Sequence, residues 1–303
     1  MGKLPIENSR ILILGSSGQL GRELERSFSG LGSITTADRQ NCDLVDPDSI
    51  RILIRDARPG IILNAAAYTA VDRAESEPEL AHAINAIAPG VMAEEARRSD
   101  ALLVHYSTDY VFDGSKPGPW TEDDPTAPLS VYGASKLAGE QAVTAAGGKH
   151  LIFRTSWVYG PHGKNFLFTM LRLGTERDRL SIVDDQMGAP TSSIELAGAT
   201  RRVLDGVLAG RCGAPADWSG IYHMTCSGQT SWYGFARAIF ARGAARYGTQ
   251  PPELIPIPTE AYPTPARRPR NSALSNARLA EHFGVRLAPW EQALDAVFAL
   301  LSR

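Results

Sequence analysis

Cysteine is scarce in this 303-residue chain: Cys42, Cys212 and Cys226 are odd in number, widely spaced and form no Cys-x-x-Cys pair. That argues against a disulfide framework and against a thiolate zinc site. The six histidines show no metal-ligand spacing either. No apolar run approaches the roughly 18–20 residues that cross a bilayer. The first ten residues lack the apolar core of a secretory signal. Neither sign of charge dominates, with 31 Lys and Arg against 33 Asp and Glu, a formal net charge of −2. Such a balance gives no footing for a nucleic-acid or anionic-membrane partner. Internal repeats and low-complexity tracts are absent as well. What remains, 43% hydrophobic and 21% charged, suits a soluble cytoplasmic enzyme with a large core.

The first half of the chain alternates between apolar runs and helical patterns. Strands are expected at 10–15, 33–37, 60–64, 101–106 and 150–155, and helices near 19–29, 47–57, 73–98 and 131–146. Pro89 should kink or interrupt the third helix. This rhythm predicts an α/β fold, a doubly wound parallel sheet of the Rossmann type. Beyond residue 155 it loosens, with helices expected near 165–177, 192–208, 231–247 and 289–302 and short strands near 180–183 and 221–224. The organisation expected is a dinucleotide-binding domain over 1–155, with further elements from 156–250 returning to it. A smaller, mixed, mainly substrate-binding lobe follows over 156–303. Seven prolines between 251 and 269 predict an irregular, extended loop, continuing to 271 and carrying Arg267, Arg268 and Arg270 towards an anion.

The chemistry begins after the first strand. The apolar run Ile11–Leu14 leads into Gly15-Ser-Ser-Gly18-Gln19-Leu20-Gly21 and then a helix, an order that sets a pyrophosphate on a helix N-terminus. Asp38, at the end of the second strand, suits adenosine ribose hydroxyls and NAD, whereas Arg39 suits a 2′-phosphate and NADP. Cofactor choice therefore stays open between NADH and NADPH. Tyr132 and Lys136 lie four apart on an expected helix and so share a face. An ammonium beside a phenol favours the phenolate, giving a pair able to exchange a proton with a substrate oxygen. Thr108, at the carboxyl end of the strand over 101–106, offers a hydroxyl to an oxyanion forming there.

Gly15-x-x-Gly18-x-x-Gly21 with Tyr132-x-x-x-Lys136 resembles the extended short-chain dehydrogenase/reductases. One branch, the dTDP-4-dehydrorhamnose reductases, is resembled by NAAAYTAVDRAESEPELA from Asn64, HYSTDYVFDG from His105 and PLSVYGASKLAGE from Pro128. FRTSWVYG from Phe153, DDQMGAPT from Asp184 and AYPTPARRPRNSAL from Ala261 complete the set in the family's order. The resemblance implies Thr108, Tyr132 and Lys136 as the catalytic group, with Tyr132 and Lys136 also cofactor contacts, Lys136 through the nicotinamide ribose. It adds Asp43, Leu44, Ala67, Tyr68 and Thr69 to the cofactor contacts. For the sugar nucleotide it implies Tyr110, Trp157, Gln186, Arg268 and Asn271, with Asp109 a further sugar contact. Related dehydratases carry two acids after the threonine; here Tyr110 replaces the second, which favours simple carbonyl reduction. The implied reaction is NAD(P)H-dependent reduction of the C4 ketone of dTDP-4-dehydro-β-L-rhamnose to dTDP-β-L-rhamnose. Rival readings are another nucleotide-sugar reductase, epimerase or dehydratase of the same fold, or a non-catalytic regulatory subunit resembling that of methionine adenosyltransferase. Some members form homodimers through a metal such as Mg2+ held by glutamates. Glu23 and Glu195 lie at comparable places, but no metal is assigned.

Overall fold

The computed structural model describes residues 9–247 and 250–301. The start of the chain, read above as free of a secretory signal, and the end of the helix expected over 289–302 fall partly outside the described residues.

Six strands, β1 (Ser9–Leu14), β2 (Gly32–Ala37), β3 (Ile61–Asn64), β4 (Leu102–Thr108), β5 (His150–Thr155) and β6 (Gly220–His223), form one parallel sheet. Their order across it is β6-β5-β4-β3-β1-β2. Alternate side chains leave β1 on opposite faces: Ile11 and Ile13 join one core cluster, Leu12 and Leu14 another. Both faces of the central strands are covered, so β1 from Ile11 onward and β3 up to Leu63 are apolar, whereas the edge strand β2 is polar and largely exposed. Helix α1 (Gln19–Phe28) lies on one side and packs against α5 (Ser193–Leu208). On the other side lie α2 (Pro47–Ala57), α3 (Ala88–Arg98) and α4 (Val131–Ala145). The order reverses between β1 and β3. That switch point opens a crevice at the carboxyl ends of the strands, where ligands bind in such sheets.

The helix expected over 73–98 is four pieces: Val71–Ala74, Pro78–His82, a π-helical turn Ala83–Ile87, and α3. Pro89 has no N–H for the Asn85 carbonyl, and its ring would crowd that oxygen. The wider π turn relieves this. It presents the Asn85 carbonyl to α4 at Gly139, where a Cβ would stand 2.1 Å from the oxygen.

Past residue 155 a third buried cluster, including Tyr159, Leu167, Met170, Phe235, Ile239 and Leu294, is distinct from the two on the sheet faces. The proline-rich segment is extended but not irregular throughout. Glu253–Ile257 is a strand paired in parallel with Arg179–Val183. Pro256 is tolerated because the sheet has only two strands, leaving an edge free of ladder bonds. Several two-residue strands and the helix Ala277–Phe283 carry too little periodicity to be read from sequence.

Candidate active site

The turn after β1 is compact enough that side chains are excluded from it. Gly15 has φ +76°, and a Cβ on it would meet the backbone of Ala65 and Ala66 within 2.9 Å. A Cβ on Gly21 would stand 2.1 Å from the Gly15 carbonyl. The loops after β1 and β3 thus touch across the switch point. The first amides of α1, those of Gln19, Leu20 and Gly21, face the crevice end of the sheet with no capping side chain on them. A cradle shaped this way by missing side chains fits a dinucleotide's diphosphate.

The flanking cofactor candidates have local duties too. Asp38 accepts from the Gln40 amide (2.9 Å), and Asp43 accepts from the Val45 amide (2.9 Å), so both carboxylates brace turns. Arg39 is exposed beside the end of β2. Leu44 and Ala66 pack against the same core cluster, and Asn165 donates to the Gln19 side chain (2.9 Å). Ala67 and Thr69 flank Tyr68, whose hydroxyl donates to Glu77 (2.6 Å). The Tyr68 side chain belongs to a small cluster against which Val131 and Tyr132 pack.

Helix α4 starts cleanly because the Ser130 hydroxyl accepts from the Gly133 amide (3.1 Å). Tyr132 and Lys136 then face the carboxyl end of β4. The Tyr132 hydroxyl lies within hydrogen-bonding reach of Thr108, and its ring meets Tyr110 edge-on at 5.8 Å. Burial pushes the Tyr132 phenol up to about 12, with Thr108 opposing and Asp109 adding to the rise. Lys136 follows one turn later on α4. Its amine is buried and turned to β4, donating to the Tyr106 carbonyl (2.6 Å) and standing 3.3 Å from His105 Nε2. Burial lowers Lys136 to about 8, against the raising pull of Glu140.

Thr108 donates to Asp109 Oδ1 (2.9 Å) and accepts from the Tyr110 amide (3.2 Å). Asp109 is 2% exposed, and its Oδ2 has no hydrogen-bond partner. Burial raises this carboxyl to about 7, which Ser272, Thr108 and backbone N–H groups only partly oppose. The same burial pushes the Tyr110 hydroxyl well above the ordinary phenol range.

Of the substrate candidates, Arg268 forks onto Asp72 (2.8 and 3.1 Å) and also donates to Thr264 (2.5 Å) and the Ala266 carbonyl (3.1 Å). Its charge is felt at the Tyr110 hydroxyl, so it borders the site. Arg267 and Arg270 are exposed, the latter 3.5 Å from Asp185. Trp157, at φ +47°, stacks on Trp232 at 3.5 Å, and its ring fills the space a Gly188 side chain would take, beside Ser272. Gln186 donates to Thr259 (3.1 Å). Asn271 is spent on scaffolding: its amide donates to the Lys116 and Gly118 carbonyls (2.7 and 2.8 Å) and its oxygen accepts from the Ala273 amide. Glu23 stands 3.5 Å from His162, and Glu195 accepts from the Ala288 amide (3.1 Å). Among the described residues no three His, Cys, Asp or Glu side chains form a metal-holding group.

Sequence reading missed the supports. Asn85 accepts from the Tyr68 amide (2.9 Å) and donates to Ser135 (3.0 Å), tying the loop after β3 to α4. Glu140 takes a two-pronged bond from Arg154 (2.9 and 2.7 Å) and another from Ser107 (2.5 Å), all buried. A carboxylate four residues past Lys136, on the same helical face, was the available signal for Glu140.

Comparison with known proteins points one way. The family profile described as "RmlD substrate binding domain" matches residues 9–303. A dTDP-4-dehydrorhamnose reductase of Burkholderia thailandensis is 50% identical over 288 residues, covering 94% of this chain and 96% of that protein. A solved dTDP-4-dehydrorhamnose reductase from Clostridium acetobutylicum superposes with a TM-score of 0.89 at 38% identity, covering 97% of this chain and 99% of the other. The Bacillus anthracis counterpart, solved in complex with NADP, gives 0.87 at 35% identity, covering 97% and 99%.

Proposed function

The chain belongs to the dTDP-4-dehydrorhamnose reductase family, and from that premise we propose that it reduces the C4 ketone of dTDP-4-dehydro-β-L-rhamnose to dTDP-β-L-rhamnose. The observation that carries this reading is Tyr132 beside Thr108 at the carboxyl end of β4, with Asp109 the lone acid next to them. A reduced nicotinamide, from NADPH or NADH, supplies the hydride when bound at the glycine turn.

The chain's own residues do the rest. Tyr132 is protonated at neutral pH, since burial raises its phenol, and that is the state a proton donor needs. As hydride reaches C4, the Tyr132 O–H bond breaks and the proton passes to O4. Thr108 accompanies Tyr132 at that oxygen, and Lys136 supports the phenolate left behind. Arg268 takes the sugar nucleotide's diphosphate with its fork of donors, exchanging Asp72 for phosphate oxygens. Trp157 and Gln186 border the sugar, Tyr110 closes the site over it, and Asn271 fixes the loop that carries them. The lone acid speaks against dehydration, which needs an acid–base pair to remove a proton and expel water. The proposal includes the division into a nucleotide domain over 1–155 with returning elements and a substrate lobe over 156–303, a cytoplasmic location, and a homodimer.

An assay of NADH and NADPH oxidation with dTDP-4-keto-6-deoxy sugars differing at C3 and C5 tests reaction, substrate and cofactor preference together. Stoichiometric oxidation with the L-rhamno ketone is expected. Turnover of a dTDP-sugar without net oxidation would point to epimerase chemistry instead.

A further inference from the structure

His105 is fully buried in the middle of β4, behind the catalytic helix, and nothing in the proposed reaction uses it. Its two ring nitrogens are both engaged. Asn64, its register partner on β3, places Nδ2 3.0 Å from His105 Nδ1, and Lys136 Nζ stands 3.3 Å from Nε2. The polarity of this chain is set from outside. The Ala66 amide donates to Asn64 Oδ1 (3.2 Å), which orients the carboxamide with its N–H groups towards the ring. His105 Nδ1 must then accept, so the ring proton sits on Nε2 and points at the lysine. A neutral amine can accept that N–H; an ammonium cannot.

We infer that Asn64 and His105 are positioning residues for Lys136, a relay that fixes the imidazole tautomer so that its Nε2–H stabilises the amine form of the lysine. This rests on the reading of Tyr132 and Lys136 given above. After Tyr132 has given its proton to the sugar, an N–H bond of the Lys136 ammonium breaks and the Tyr132 O–H bond re-forms. The lone pair left on Nζ accepts from His105. The relay therefore favours the product side of the step that resets Tyr132. It starts at Ala66, whose backbone packs against Gly15, so the relay begins beside the glycine turn.

Other titratable groups near Lys136 do not supply this. Glu140, on the same helix, raises the lysine and is held by Arg154 of β5. Tyr132, Asp109 and Tyr110 face the reacting end of the site, and Tyr68 is bonded to Glu77. The π turn packed on α4 presents Asn85, which does not titrate. Burial keeps His105 itself neutral, with the nearby lysine adding to the effect.

Two measurements on the full-length protein test the relay. In the wild type, 15N spectra of the imidazoles, with His105 assigned by its loss in His105→Gln, should show protonated Nε2 and bare Nδ1; protonated Nδ1 would overturn the proposal. In 13C,15N-lysine-labelled protein, the Lys136 titration midpoint should rise by about one pH unit in His105→Met. It should stay near the wild-type value in His105→Gln, whose carboxamide restores a donor. The alkaline limb of kcat should move with it. An unchanged Lys136 midpoint in folded His105→Met refutes the relay. A protein that shows the shift but never reduces the keto-sugar refutes the proposed reaction and leaves the relay standing.

Discussion

Tyr132 meets the requirement of a proton donor through burial. A phenol held up to about 12 keeps its proton until hydride transfer makes the substrate oxygen basic enough to take it. Tyr132→Phe should therefore lower kcat by roughly 10²–10⁴-fold while leaving cofactor affinity, measured by fluorescence titration, nearly unchanged. Asp109 makes a second prediction at this scale. Its carboxyl sits near 7 in the fold, against an ordinary value of 3.8. Below the ordinary value both folded and unfolded states hold the proton and no penalty arises. Between about 4 and 7 the unfolded chain ionises while the folded one does not, so stability is lost as pH rises. The penalty reaches on the order of 4 kcal/mol at most. Asp109→Asn removes it, so thermal melts should find the variant more stable than wild type at pH 8 and similar at pH 4. Equal stability at pH 8 would mean that Asp109 ionises normally.

The elements explain why these side chains meet. The glycine turn and α4 each approach a neighbouring backbone more closely than a Cβ allows, at Gly21 and at Gly139. Gly21→Ala should push Gly15 out of contact with α1 and weaken dinucleotide binding at least tenfold, read by isothermal titration. A wild-type dissociation constant would show that the turn does not hold the cofactor. Most of this layout was legible in the chain. Apolar runs in β1, β3, the first half of β4 and the middle of β5 marked the buried centre of the sheet, because strands covered on both faces have few polar positions. The π turn was not legible: Pro89 announced an interruption, but the wider turn depends on where the Asn85 carbonyl finds room against Gly139. The strand Glu253–Ile257 was hidden by its prolines, which read as loop until a two-stranded partner accommodates them.

Across the whole molecule, the site is assembled from both halves of the chain. Arg268 of the C-terminal loop grips Asp72, just after β3, and Ser272 reaches Asp109 beside β4. Motif spacing named Tyr132 and Lys136, and the family resemblance and a strand end named Thr108, but none of these named their supports. Asn64, Asn85, His105 and Glu140 act through contacts that link positions up to 50 residues apart, which spacing does not encode. At this scale Arg268→Ala should raise KM for the dTDP-sugar roughly 10–100-fold with little change in kcat, because the fork binds diphosphate remote from the reacting carbon. An unchanged KM would leave Arg268 as a tie to Asp72 only. The reaction itself is tested most directly with cofactor deuterated at nicotinamide C4 and the L-rhamno keto-sugar. Mass spectrometry and NMR of the product should find one deuterium at sugar C4, in step with oxidised cofactor. Product without deuterium, or with deuterium at another carbon, would contradict the account.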